Sequence, residues 1–332
     1  MSLSHHWWRS HLTWRTAPLL PIAWLFGCAG ALRRALYACG ALASQRMPVP
    51  VVVVGNLVVG GSGKTPLVIA LAHELARLGL SPGVISRGYG GSARDVIEVD
   101  IDADPTVVGD EPLLIRRRAA CPVFVGAARV QAARALLSAY PDTRVIVADD
   151  GLQHLKLAAD FRIAVFDSRC AGNGRLLPAG PLREPLSRLG QVDAVVINDG
   201  QCALPGRSYA MQLVAGAYRR VDDSGTCAPR DFARQHATHV AAVAGIGNPE
   251  RFFDTLRATG LVVDAHAFPD HHAFSRDDLA RVPGSHVMMT EKDALKCEAF
   301  ADARLWVVPV SATLDAGLID SIKEKLRGPK AA

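Results

Sequence analysis

The sequence predicts an α/β fold: a mostly parallel sheet with flanking helices, a second and smaller α/β lobe, and an N-terminal membrane-associated helix. Three observations carry this expectation. Short β-branched runs alternate with stretches of helical periodicity along most of the chain, as in parallel sheets covered by helices. A glycine-rich turn, Gly60–Thr65, joins the first such run to the first such helix. The first 46 residues hold four of the five tryptophans, five arginines and no acid.

The N-terminal segment, residues 1–46, comes first. Its tryptophans (Trp7, Trp8, Trp14, Trp24) pair an apolar body with a polar N–H, the chemistry of a lipid headgroup layer. Arg9, Arg15, Arg33, Arg34 and Arg46 are unopposed, since the first acid in the chain is Glu74. Without those five, basic and acidic residues balance at 32 each. The excess charge therefore points to anionic lipid rather than to nucleic acid, which needs a basic body or stripe. Between Leu19 and Leu32 the chain is apolar or small, interrupted by Pro21 and closed by Arg33-Arg34. A run this short falls below the roughly 20 residues of a spanning helix, so it is expected to lie on a membrane surface. The rivals are a signal peptide, with Ala41-Leu42-Ala43 resembling a cleavage site, and a helix packed on the protein's own core.

The core, residues 47–205, begins with Val51–Val54, a continuous apolar run suited to a strand buried on both faces. Thr65–Leu78 has helical periodicity and stops at Gly79. Val84–Ser86, Val123–Val125, Val145–Ala148, Ile163–Phe166 and Ala194–Ile197 are further strands, with helices at about 111–120 and 127–139. The pattern changes near Gly206. Ser208–Tyr218 reads as extended connecting strands and 221–231 as turn-rich. Residues 206–332 then alternate again: strand 238–245, helix 249–259, strand 261–266, helix 276–282, strand 286–290, helix 293–300, strand 304–309 and a helix near 316–327. This second lobe is expected to close over the active site. The seven cysteines never pair as CxxC; they read as small buried hydrophobes, with neither a disulfide framework nor a zinc site.

The chemistry starts at the turn. In Gly60-Gly61-Ser62-Gly63-Lys64-Thr65, glycines let backbone N–H groups wrap phosphate oxygens at a helix N-terminus. Val58, Val59, Gly60, Gly61, Ser62, Gly63, Lys64 and Thr65 are the predicted nucleotide contacts, although Val58 stands where this loop pattern usually has its first glycine. Lys64 would reach the β/γ-phosphates and Thr65 would ligate Mg²⁺. Val145–Asp150 is an apolar run that delivers two carboxylates, so Asp149 or Asp150 would hold the metal. The core is thus P-loop NTPase-like, with ATP and Mg²⁺ as the expected cofactors. Three other stretches are ambiguous from spacing alone. Gly109-Asp110-Glu111-Pro112 suits a helix start, Asp270-His271-His272 a surface loop, and the Gly/Pro/Arg-rich 172–185 a connection.

Taken together, these motifs resemble those of the tetraacyldisaccharide 4′-kinases of lipid A biosynthesis. The matching stretches are Val54–Leu57 into Gly60–Pro66, Ser86–Gly90, Gly109–Pro112, Asp149–His154, Gly172–Pro185, Phe268–His272 and Thr290–Ala294. The resemblance implies a kinase that moves the ATP γ-phosphoryl to the 4′-hydroxyl of a tetraacylated glucosamine disaccharide 1-phosphate. It implies work at the cytoplasmic face of a Gram-negative inner membrane, with the protein peripheral or monotopic. It also implies Asp110 as the base for the sugar hydroxyl, His271 as its assistant, and Arg183 and Glu184 near phosphate and metal. No protein partner is implied. A P-loop GTPase or metallochaperone would carry NKxD, and a non-catalytic ATP-binding transporter accessory an LSGGQ-type signature; neither motif occurs.

Overall fold

The computed structural model describes residues 3–222, 224–300 and 302–326. Eight strands build the first sheet in chain order: β1 (Val51–Gly55), β2 (Pro82–Ser86), β3 (Ile97–Glu98), β4 (Val123–Val125), β5 (Val145–Ala148), β6 (Phe161–Asp167), β7 (Ala194–Asn198) and β8 (Ser208–Ala215). The second sheet takes β9 (Tyr218–Arg220), β10 (Thr226–Cys227), β11 (His239–Ala244), β12 (Val262–Ala267), β13 (Val287–Thr290) and β14 (Leu305–Val308). The chain then returns to the first sheet with β15 (Val310–Leu314), giving nine strands in the order β15-β8-β7-β6-β1-β5-β2-β4-β3. From β8 to β4 every pairing is parallel; β3 and β15 are antiparallel edges.

The strands form where the sequence is apolar on both faces. Val51–Val54 are at most 3% exposed, and each such side chain contributes on the order of 1.5–3 kcal/mol by leaving water. Helices Lys64–Arg77, Asp110–Ala119 and Ala316–Leu326 cover one face through Leu67, Leu71, Leu75, Leu113, Ile115, Leu318 and Ile322. Helix Arg129–Ala139 covers the other face through Val130, Ala133 and Leu136. The second sheet is also covered on both sides, by Phe232, Phe252 and Phe253 on one and by Phe274, Leu279 and Ala294 on the other.

Several expectations change. A division at residue 206 does not follow the sheets, because β8 and β15 belong to the first sheet and helix Ala316–Leu326 packs on it. The expected helix 293–300 starts earlier, at Glu291, where the Thr290 side chain caps it by accepting from Asp293 N–H, and it ends at Ala294. A 3₁₀ turn follows at Glu298–Phe300. The short strands β3 and β10 were not legible in the sequence. Cys170 and Cys202 form a disulfide, and Cys28 and Cys39 are exposed; only Cys121, Cys227 and Cys297 are the buried thiols expected of all seven.

The N-terminus departs furthest. Pro21 does not interrupt the apolar run, because it sits in the first turn of helix Leu20–Ala38, where its missing N–H has no helical partner to lose. With the preceding turn the helical segment Ala17–Ala38 runs 22 residues and passes through Arg33-Arg34. That is about 33 Å at 1.5 Å per residue, long and apolar enough to cross a membrane by length and composition. Almost none of it is buried; Trp24, Leu25 and Leu32 are exposed at 66%, 72% and 63%, so it is not a core helix. Trp14 is exposed as well. Trp7 and Trp8, expected at headgroup depth, instead pack on the protein. The Trp7 indole N–H donates to Pro178 O at 3.0 Å, and the Trp8 ring lies 4.1 Å from the Arg169 guanidinium.

Candidate active site

Parallel strands collect their carboxyl ends on one edge, and loops leaving that edge are where open α/β sheets bind ligands. Here two such edges meet. The phosphate loop leaves β1, Asp149 and Asp150 follow β5, Ser86 ends β2, and Asp167 and Asn198 end β6 and β7. From the second sheet come Gly247 and Asn248 after β11, His271 after β12 and Lys292 after β13. Between them lies a cleft of about 460 Å³ lined by residues 59–66, Glu111, Asp149, Asp150, Arg183, His271 and Lys292, among others.

The phosphate loop is held from behind. The Asn56 side chain donates to Gly60 O at 3.3 Å and to Ser62 Oγ at 3.2 Å. The Asn198 amide donates to Ser62 O at 3.0 Å. Gly63 caps helix Lys64–Arg77 at φ +92°, and a Cβ there would come within 2.1 Å of Asn198 Nδ2, so the turn accepts only glycine. Gly60 through Thr65 and Val59 line the cleft. Val58 does not: it is 1% exposed, packed in the core beneath the sheet and bridged to Leu182. A missing glycine at this position is therefore a packing feature and leaves the cradle intact.

Lys64 Nζ stands 3.4 Å from Asp150 Oδ1, and Arg183 Nη1 3.1 Å from Asp150 Oδ2. Burial pushes the Asp150 carboxyl up, but Lys64 and Arg183 outweigh it and hold the group below its ordinary value. Asp149 behaves oppositely. It is 1% exposed, and burial, with Glu111 and Asp150 nearby, pushes its carboxyl up to about 7 against the pull of Lys64. Ser86 Oγ donates to Asp149 Oδ2 at 2.9 Å, while Oδ1 is buried with no partner. A buried carboxylate oxygen with no donor and too much negative charge around it fits a divalent cation. Among the described residues no three His, Cys, Asp or Glu side chains group to hold a metal alone, which fits Mg²⁺ sharing its shell with phosphates and water. Glu184, expected at the metal, does not line this cleft; its Oε2 accepts from Arg188 Nε at 3.2 Å, four residues along.

Asp110 and His271, far apart in sequence, are brought together. His271 Nδ1 lies 3.1 and 3.2 Å from the two Asp110 oxygens, and Lys292 Nζ lies 3.2 Å from Nε2. These partners assign the proton to Nδ1, with Nε2 accepting from the ammonium. Gly109, at φ +91°, turns the chain into the helix that Asp110 begins; a Cβ there would meet Tyr89 O at 2.7 Å. Asp110 itself accepts the Glu111 N–H at 2.8 Å. Burial raises the Asp110 carboxyl, but the His271 hydrogen bond and the charges of Lys292 and Lys296 outweigh it and hold it below its ordinary value. His271 adopts φ +60°, a region uncommon for a non-glycine residue and often found at functional sites; its N–H donates to Gly245 O at 3.0 Å.

Some of these residues had no role assigned from sequence. Lys292 bonds Glu111 at 2.9 Å and lies 4.0 Å from Asp110. Burial alone would lower its ammonium, but Glu111, Asp110 and Asp270 hold it above its ordinary value. Lys296 lies 3.5 Å from Asp110 and 3.0 Å from Asp293. Lys292 lies in the short helix after β13 and Lys296 in the turn that follows it, and spacing alone did not mark either as a site residue.

A family model described as "Tetraacyldisaccharide-1-P 4'-kinase" matches residues 15–327. A tetraacyldisaccharide 4'-kinase from Azoarcus sp. is 49% identical over 331 residues, covering 98% of this chain and 96% of that protein. One from Janthinobacterium sp. is 50% identical, covering 95% and 93%. A crystal structure of LpxK from Aquifex aeolicus in complex with ATP superposes with a TM-score of 0.78 at 27% identity, covering 94% of this chain and 99% of that one.

Proposed function

Because the chain belongs to the tetraacyldisaccharide 4'-kinase family, we propose that its two-sided cleft holds ATP on the phosphate loop and the sugar hydroxyl at Asp110. The enzyme is an ATP-dependent kinase of lipid A biosynthesis. It transfers the γ-phosphoryl group to the 4′-hydroxyl of a tetraacylated glucosamine disaccharide 1-phosphate. The observation that carries the residue assignment is the Asp110–His271 pair, whose histidine shares one cleft with Lys64.

Each residue's task follows from its surroundings. The residue 60–65 backbone cradles phosphates, and Lys64 meets the charge that develops on the transferring group. Asp150 keeps Lys64 and Arg183 aimed into the cleft. Thr65 and Asp149 would hold Mg²⁺, which neutralises phosphate charge when bound. Asp110 takes the hydroxyl proton as the new P–O bond forms and the bond from the γ-phosphorus to the bridging oxygen breaks, releasing ADP. His271 is not the base in this arrangement, since its Nε2 is already occupied by Lys292. It instead orients the Asp110 carboxylate, and its hydrogen bond helps hold that carboxyl below its ordinary value before the proton arrives.

We place the enzyme at the cytoplasmic face of the inner membrane, bound through the exposed helix Leu20–Ala38, with the first sheet as nucleotide lobe and the second as closing lobe. An apolar helix of which almost nothing is buried supports this reading, as does a lipid acceptor that sits in a bilayer. Transfer of ³²P from γ-labelled ATP to purified lipid A precursor in detergent tests the function. Label appearing as free phosphate at the same rate with and without acceptor would refute it.

A further inference from the structure

We propose that Arg169 is a positioning residue that ties the N-terminal segment to the phosphate loop, with the Trp8 ring stacked on its face. This rests on the reading of residues 60–65 as the nucleotide cradle. Arg169 follows β6, outside every motif used above.

Its guanidinium makes four kinds of contact at once. It forks onto the buried Asp167 carboxylate, at 2.9 and 3.2 Å through Nε and 2.6 Å through Nη2. Nη2 also donates to Gly61 O, in the phosphate loop, at 3.1 Å. Nη1 donates to Gly247 O, in the loop after β11, at 3.2 Å. The open face of the planar group receives the Trp8 indole at 4.1 Å. Asn248 Nδ2 reaches the same Asp167 oxygen at 3.4 Å. Gly247 and the phosphate loop are in close backbone contact, for a Cβ on Gly247 would meet Gly61 N at 2.2 Å. Arg169 therefore bolts the loop that cradles phosphate to the loop of the opposite sheet.

Trp8 is fixed in turn. Beside the Trp7 bond to Pro178, Trp7 O accepts Asn173 N–H at 2.8 Å, so residues 7 and 8 clamp onto the loop between β6 and Arg183. A lysine at 169 keeps the charge but lacks the planar fork that serves two carbonyls, a carboxylate and a ring together. The segment that precedes the exposed helix thus sets the geometry of the nucleotide cradle through one side chain.

The test uses the full chain in detergent with lipid A precursor as acceptor, measuring ATP KM, kcat, ATP Kd by calorimetry and the melting temperature. Arg169→Lys is expected to raise ATP KM and Kd about tenfold, the scale of one charge-assisted hydrogen bond, while kcat at saturating ATP falls less than about threefold. Trp8→Ala should raise the same two constants about three- to fivefold, and Trp8→Phe, which keeps a ring on the guanidinium, should stay within about twofold of wild type. The double variant Trp8→Ala/Arg169→Lys should be no worse than Arg169→Lys alone, because both act through one contact. Losses that multiply in the double variant, a Trp8→Phe as impaired as Trp8→Ala, or an effect on kcat with ATP KM unchanged would each overturn the proposal. Should Arg169→Lys melt early, the Trp8 pair decides alone. Lys64→Ala, run in parallel, separates the two readings: if it leaves ATP Kd and turnover unchanged, the cradle assignment itself is wrong.

Discussion

Replacing Asp110 by Asn is the sharpest probe of the site, because the structure limits what else the change disturbs. Asn cannot accept the hydroxyl proton, yet its carbonyl still accepts from His271 Nδ1. The nearby cations are not orphaned: Lys292 keeps Glu111 at 2.9 Å and Asp270 at 3.7 Å, and Lys296 keeps Asp293 at 3.0 Å. The fold should therefore survive. Loss of a positioned base removes about 10²–10⁴ of rate, or roughly 2.7–5.4 kcal/mol at 1.36 kcal/mol per decade. ATP KM should move little, since the phosphate loop belongs to other elements. His271→Ala should cost less, because it removes an orienting partner and leaves the carboxylate. In the Asp110→Asn background its further effect should be smaller than in the wild type. Steady-state kinetics on the four proteins of this cycle, with ATP and lipid acceptor varied separately, measure all of these quantities. A kcat within about tenfold of wild type, a loss confined to ATP KM, or fully multiplicative losses would refute the base assignment.

Lys64→Ala should abolish measurable transfer, since the transferring phosphoryl loses its fixed cation; turnover within a few-fold of wild type speaks against the cradle. Lys296→Met should shift the acid limb of the kcat/KM profile upward. Removing that charge lets burial raise the Asp110 carboxyl, and a base is lost as pH falls through its own pKa. A limb that stays in place separates Lys296 from Asp110. Phe253→Ala, at a site with no exposure, should cost about 3–5 kcal/mol of stability, read as an earlier denaturant midpoint. Trp24→Ser with Leu25→Ser on the exposed helix should weaken flotation with anionic liposomes while leaving turnover on detergent-dispersed acceptor near wild type. Unchanged flotation would locate the membrane contact elsewhere. Removing residues 1–44 outright is a poorer experiment, because it also strips Trp7 and Trp8 from the loop beside the phosphate cradle.

The elements most legible in the sequence were those whose burial is complete. Val51–Val54 and Val145–Ala148 are buried on both faces, so continuous apolar runs announced them directly. The strand at 97–98 was hidden because it is a two-residue edge with one half-buried and one exposed position. The sheet assignment of β8 and β15 was hidden for a different reason. Antiparallel pairing of 211–215 with 310–314 joins segments about a hundred residues apart, and nothing local specifies it. Pro21 misled because a proline has opposite meanings inside a helix and in its first turn. The tryptophans misled because composition places a residue type without giving its direction. Two of the four face outward, and two are pinned to a loop more than 160 residues away.

The site divides along the same physical line. Lys64 and Thr65 were readable since a backbone cradle needs glycine, a cation and a helix start in strict order. Asp110 and His271 were readable only through family resemblance, since 161 residues separate them and a lone carboxylate or histidine has no local signature. Glu111 and Lys292 escaped for a further reason. Their importance is mutual: burial shifts each towards its neutral form, and each shifts the other back towards its charged form across the cleft. An ion pair of this kind exists only when the two sheets face each other. The same is true of the Asp110–His271 pair, whereas the His271 Nε2–Lys292 contact joins two loops of the second sheet. The proposed role of Asp110 as base therefore depends on groups from both sheets. Parting the Asp110 helix from the loops after β12 and β13 would separate Asp110 from His271, Lys292 and Lys296 together, so the geometry proposed for proton acceptance needs the two sheets to face each other.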